Sequence, residues 1–159
     1  PYLKPEDEAQ LIKSDEKGGQ IANLVVQHND FEGHVFYIRH PINPKEISRL
    51  QDLFIEENLI VNFNTEHKFL VALTERKFII GGLFYKETDE RTLHMDKIVV
   101  ASPYRRKGIS NIIMNDFFNR AKNENKRYVT TGFFRPEYFY RFGFKIERRY
   151  SGLVKKLSW

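Results

Sequence analysis

The sequence predicts an α/β domain, and three observations carry that reading. Stretches rich in β-formers alternate with helical patterns in the order β-α-β-β-β-α-β-α-β. Two of the helical segments carry an apolar stripe at helical spacing. One strand runs directly into a basic, glycine-containing loop that opens a helix, which is a standard place to hold phosphate.

The elements follow in order. Residues 1–32 read as an N-terminal arm or linker and residues 33–159 as the folded domain. Pro1, Pro5, Gly18, Gly19 and Gly33 punctuate the arm, and only residues 21–26 suit a short strand. Residues 34–40 read as a strand because Val35-Phe36-Tyr37-Ile38 are strong β-formers. Asn43-Pro44-Lys45-Glu46 then starts a helix: Asn43 caps, Pro44 takes the first position, and Glu46 is placed for a capping box. Ile47, Leu50 and Phe54 carry it to about Asn58. Strands over 68–73 and 77–86 flank the turn Thr74-Glu75-Arg76, and Gly81-Gly82 suggests a bulge or kink. Residues 92–101 are a further strand. Gly108 opens the second helix, whose face is Ile109, Ile112, Ile113, Phe117 and Ala121. Residues 128–134 form a strand, Pro136 starts a short helix that Gly143 ends, and residues 144–157 supply one or two strands.

Composition narrows the class. A chain of 159 residues with 41% hydrophobic and 30% charged residues suits one globular domain with its own core. Cys is absent, which excludes a disulfide scaffold, a cysteine-ligated zinc and an enzyme with its own Cys nucleophile. His28, His34, His40 and His67 lack metal-binding spacing, so no metal is expected. No apolar run approaches the ~20 residues that cross a membrane. The polar, acidic first residues carry no secretory pattern, so a cytoplasmic location is expected. A start at Pro1 suits initiator-Met removal and excision from a longer chain equally.

The net charge of +5 is uneven. Residues 1–32 hold three Lys and seven acidic residues, a net of −4, so the remainder carries +9. A basic body favours an anionic ligand: nucleic acid, an acidic membrane or a phosphorylated cofactor. The segment Val100-Ala101-Ser102-Pro103-Tyr104-Arg105-Arg106-Lys107-Gly108-Ile109-Ser110 suits the last. The free N–H groups of the helix point at the loop and its dipole is positive there. Gly108 lets backbone approach an anion, Ser110 adds a hydroxyl, and Arg105, Arg106 and Lys107 supply charge.

That segment resembles the acyl-CoA pyrophosphate loop of the GCN5-related N-acetyltransferases, Gln/Arg-x-x-Gly-x-Gly/Ala after a strand ending in Val. Arg105, Gly108 and Ser110 fall on the three fixed positions, Ser110 being a mild departure. Downstream, Arg135-Pro136-Glu137-Tyr138-Phe139-Tyr140-Arg141-Phe142-Gly143-Phe144 is similar to the bacterial-type pattern His-Pro-Glu-Tyr-Tyr-x-Arg-Phe-Gly-Phe. The resemblance is specific over 92–146 and looser over 34–91. It implies a mixed, mostly antiparallel sheet with a central splayed parallel strand pair, flanked by helices. It implies that pantetheine pairs with backbone at Ile98, Val99 and Val100, and that pyrophosphate lies on residues 105–110.

The activity implied is acyl transfer from acetyl-CoA, or another short acyl-CoA, to a small-molecule or peptide amine, directly and without a metal. Its general base falls on His94, with Asp96 next on the same strand face, both looking into the cleft. The usual Tyr acid is here Phe139, which cannot donate a proton; Tyr138 and Tyr140 flank it. Phe139 and the arm also suit a catalytically silent CoA-binding regulatory or sensor domain. A basic nucleic-acid-binding module is the second alternative, weakened by the lack of an RNA-reading motif. No membrane partner is expected, and a homodimer is left open.

Overall fold

The computed structural model describes residues 24–132, 135–147 and 152–157. Most of the expected arm, the end of the strand expected over 128–134, and residues 148–151 lie outside the described residues.

Eight strands form one sheet: β1 Val26–Asn29, β2 Val35–Arg39, β3 Lys68–Thr74, β4 Ile79–Asp89, β5 Thr92–Val100, β6 Tyr128–Thr131, β7 Phe144–Ile146 and β8 Leu153–Lys156. Their spatial order is β1-β2-β3-β4-β5-β6-β8-β7. All neighbours pair antiparallel except β5 and β6, which are parallel. A parallel pair needs a crossover, and helix α2 (Ile109–Asn123) supplies it. Helix α1 (Pro44–Glu56) joins β2 to β3, and the short α3 (Pro136–Tyr140) follows β6.

The sheet separates two cores. Leu50, Leu53 and Phe54 of α1 pack with Val71, Phe84 and Val99 on one face. Ile113, Met114 and Phe117 of α2 pack with Leu70, Leu83 and Met95 on the other. Gly81 and Gly82 sit between them. A Cβ at Gly81 would meet Val99 O at 2.8 Å and Ile113 at 3.3 Å; one at Gly82 would meet Leu70 O at 2.4 Å and Leu50 at 2.8 Å. The expected bulge lies directly beside the pair, where Ala72 faces Gly81 and Leu73 faces Ile79, leaving Ile80 without an opposite residue. Successive residues face opposite sides of a strand, so two glycines in a row let a helix approach each face.

The helix start forms at Asn43. Asn43 Oδ1 accepts the Glu46 N–H at 3.0 Å, and Pro44 takes the first turn. The Glu46 carboxylate is buried and accepts two Arg39 N–H bonds, at 2.7 and 2.9 Å, and the Ile42 N–H at 2.9 Å. Hydrogen bonds between ionised partners are the stronger ones, so Arg39 fixes the carboxylate at the helix start.

The sheet begins ahead of the boundary expected at residue 33, because β1 pairs with β2 from Val26↔Ile38 to Asn29↔Val35. His28 on β1 lies 2.8 Å from the buried Asp116 carboxylate of α2. Asp116 also pairs with Arg120, which donates to Ile38 O at 2.9 Å. A histidine thus ties the edge strand to the crossover helix, a contact that residue spacing does not reveal.

Candidate functional site

The parallel pair opens into a fork. Among the described residues β5 pairs with β6 from Thr92↔Tyr128 to Met95↔Thr131, while β5 itself runs on to Val100. Thr131 Oγ1 donates to Met95 O at 2.9 Å and closes the ladder. At that point β5 also bulges. Tyr85 of β4 faces Met95 and Phe84 faces Lys97, leaving Asp96 without an opposite residue. The bulge shifts the alternation by one. Leu93 and Met95 face the α2 core before it, Ile98 and Val100 after it, with Val99 turned to the α1 core.

Backbone direction beyond the bulge follows from one bond. Ala101 N–H donates to Ile80 O on β4 at 2.8 Å. By alternation the polar groups of Ile98 and Val100 point the other way, into the fork, and those of Val99 point to β4. Of the three residues expected to pair with pantetheine, two present their main chain to the fork and Val99 does not.

A cavity of about 530 Å³ continues from this fork. Ile98, Val99 and Val100 line it, as do Arg105, Arg106, Gly108, Ile109 and Ser110. Gly108 holds φ +80°, a left-handed conformation that suits glycine, and starts α2 with no side chain capping the helix. The first helical bond is Ile112 N–H to Gly108 O at 3.1 Å, so the amides of Ile109, Ser110 and Asn111 have no partner within the helix. With Arg106 and Arg141 also lining the cavity, these residues fit a phosphorylated ligand such as CoA.

Two expected charges are otherwise engaged. Lys107 does not line this cavity; its ammonium lies 2.9 Å from Glu32, whose hydrogen bond raises the Lys107 pKa. Arg105 pairs with Glu57 and donates through Nε to Val100 O at 3.3 Å. The Ser102 hydroxyl and Arg105 together hold the Glu57 carboxyl below its usual range. Arg105 thereby braces the phosphate loop against the end of α1 in addition to lending charge to the cavity.

The structure separates the two tyrosines. Tyr138 lines the cavity, and its hydroxyl is buried without a hydrogen-bond partner. The Arg141 guanidinium lies 4.4 Å from its ring centre. Tyr140 is 46% exposed and does not line the cavity, so its expected catalytic role has no geometric support. Phe139 is buried in the α2 core.

His94 and Asp96 are together but stand beside the cavity, whose lining on β5 begins at Lys97. His94 Nε2 is 3.8 Å from Asp96 Oδ1, and its Nδ1 is 2.8 Å from Thr130 Oγ1 on β6. Burial holds the His94 pKa below the ordinary imidazole value; Asp96 opposes this, and Lys86 and His67 add to it. His67, given no role from sequence, places Nε2 3.3 Å from Asp96 Oδ2. Only the fold brings His67 there, so no local signal marks it.

A family model, the acetyltransferase (GNAT) family, matches residues 31–144. No curated protein matches the chain. Among solved structures, Tetrahymena GCN5 is 18% identical, with 73% of this chain and 89% of that chain covered at a TM-score of 0.64. A GNAT family acetyltransferase from Elizabethkingia anophelis with acetyl-CoA bound is 19% identical, covering 76% and 97% at a TM-score of 0.59. YhbS from Escherichia coli, in complex with CoA, is 18% identical, covering 76% and 81% at 0.57. At these identities the likeness is one of fold.

Proposed function

This chain belongs to the GNAT acetyltransferase family, and from that premise we propose that it transfers an acetyl or short acyl group from acyl-CoA to a primary amine, directly, with both substrates bound. The observation that carries the reading is one continuous path. The unpaired edge of β5 at Ile98 and Val100 leads to the uncapped start of α2 at Gly108, within one cavity. An extended amide-bearing arm suits the first part and a pyrophosphate the second.

The bound co-substrate supplies the acyl group already activated as a thioester. The chain's own residues do the rest. The main chain of Ile98 and Val100 orients the arm, and the α2 amides and Arg106 hold the phosphates. His94, kept neutral by burial and set beside the cavity, is the base, and the proton that the amine must lose reaches it through water. Thr130 orients the His94 ring through its hydroxyl, and Asp96, set at the bulge, lends it a nearby negative charge. Tyr138 is our candidate to give a proton to the departing sulfur, because its side chain borders the cavity and its buried hydroxyl has no hydrogen-bond partner among the described residues. Holding amine and thioester in one fork supplies much of the acceleration.

The test is calorimetric titration with acetyl-CoA, followed by an amine panel scored by release of free thiol. The Cys-free chain contributes no thiol background. Saturable binding with thiol release for at least one amine supports the reading. Binding without turnover across a broad panel favours the silent CoA-binding domain, and absence of binding overturns both.

A further inference from the structure

Phe31 is an exposed aromatic held in place by the phosphate loop. It sits in the tight connection between β1 and β2, where Asp30 Oδ1 accepts the N–H groups of Glu32 at 2.8 Å and His34 at 3.0 Å. Gly33 completes the turn at φ +84°. The connection is fastened to the loop before α2 twice. Phe31 N–H donates to Lys107 O at 2.9 Å, and Glu32 pairs with Lys107 at 2.9 Å. The Phe31 ring then lies against Gly108: a Cβ there would come within 2.3 Å of the ring. Gly108 is therefore needed for the ring above it as well as for an anion, a reason that the loop's own sequence does not contain.

Despite these contacts Phe31 is 77% exposed, and it lines the same cavity as Arg106 and Arg141. The fastening contacts are polar and involve the backbone, so they do not bury the ring. They present it. A solvated aromatic face in the same cavity as Arg106, Arg141 and the start of α2 suits a planar base joined to phosphates.

We infer that Phe31 is the stacking platform for the adenine of acyl-CoA, which makes the β1–β2 connection part of the nucleotide subsite. The inference rests on the acyl-CoA reading above. The order of features along the cavity matches the covalent order of the ligand. The open β5 edge takes the amide-bearing arm, the Gly108 turn takes the pyrophosphate, and Phe31 lies against that turn. Base–aromatic stacking is sequence-tolerant and depends only on an available ring face.

The experiment is calorimetry on the full chain with CoA and with 4′-phosphopantetheine, which lacks the nucleotide. Phe31→Leu keeps apolar contact with Gly108 but removes the π-face; Phe31→Trp keeps the face. Phe31→Leu should weaken CoA binding by roughly fivefold to a hundredfold, the range set by stacking on aromatic side chains. It should leave 4′-phosphopantetheine unchanged, and Phe31→Trp should retain wild-type CoA affinity. Equal loss for both ligands would overturn the inference, since the ring would then only order the loop. Unchanged or tighter CoA binding by Phe31→Leu would overturn it too. Failure of the wild-type chain to bind CoA would overturn the acyl-CoA reading itself and this inference with it.

Discussion

His67 Nε2 stands 3.3 Å from Asp96 Oδ2, so the carboxylate at the β5 bulge lies between two imidazoles, with His94 at 3.8 Å from its other oxygen. Asn64 N–H donates to His67 Nδ1 at 3.1 Å, which leaves the His67 proton on Nε2, facing Asp96. Phe63 and Phe84 meet the His67 ring edge-on at 6.4 and 4.9 Å between ring centres and fix its plane. The carboxylate beside His94 thus faces a second imidazole that comes from another strand connection.

His67 is therefore a positioning residue for Asp96. His67→Leu removes the imidazole 3.3 Å from Asp96 Oδ2 and should lower kcat about threefold to tenfold, the scale of a polar contact short of a hydrogen bond, with the affinity for acetyl-CoA unchanged. His67→Gln keeps an N–H donor and should recover much of that loss. Steady-state kinetics beside calorimetry check this. A loss of thermal stability with kcat intact would show that His67 only supports the fold.

The pH profile should carry the signature of His94. Its pKa is held below 6.5, so the acid limb of kcat/KM should fall below pH 6.5 and not at it. The sign for stability is the same. His94 binds protons less readily folded than unfolded, so its contribution is present above about pH 6.5 and is lost as pH falls through the lower folded value. His94→Gln should flatten that limb and reduce kcat by about 10²–10⁴-fold, while CoA affinity holds. A pH–rate series on both proteins measures this.

Tyr138 and Tyr140 should behave differently. Tyr138→Phe removes the buried hydroxyl beside the cavity and should slow turnover about 10²-fold or more, the scale of a lost acid, with little change in CoA binding. Tyr140→Phe should leave kcat unchanged, because its side chain is outside the cavity lining. Parallel assays of the two variants with one amine decide the assignment.

The buried Arg39–Glu46 pair should govern stability without touching the site. Both side chains are almost fully buried and doubly hydrogen-bonded. Glu46→Ala would leave the guanidinium without its carboxylate and should cost about 3–5 kcal/mol, read from urea unfolding. It also removes the acceptor for Ile42 N–H at the start of α1.

Much of the fold was legible because it is local. Periodicity placed the strands and both long helices, and Asn43-Pro44 marked where α1 begins. The phosphate loop was legible for the same reason, since a strand, a left-handed glycine and a helix start are adjacent in the chain. The bulge beside Gly81-Gly82 was legible as well, but the room the pair makes was not, because the Cβ atoms it lacks would meet helices far away in sequence.

The sequence by itself determined the α/β class, the order of the elements and the basic loop before Gly108. It did so because hydrophobic period, capping and glycine geometry act over a few neighbouring residues. Tertiary structure alone decided the rest. It placed the bulge at Asp96 through the register with β4, brought His67 to Asp96 from the connection before β3, and seated Phe31 on Gly108. It also turned Tyr138 toward the cavity and Tyr140 away from it. Each of these depends on which backbone lies opposite which in the sheet, and that is set by packing two cores on one sheet, which no short stretch of sequence encodes.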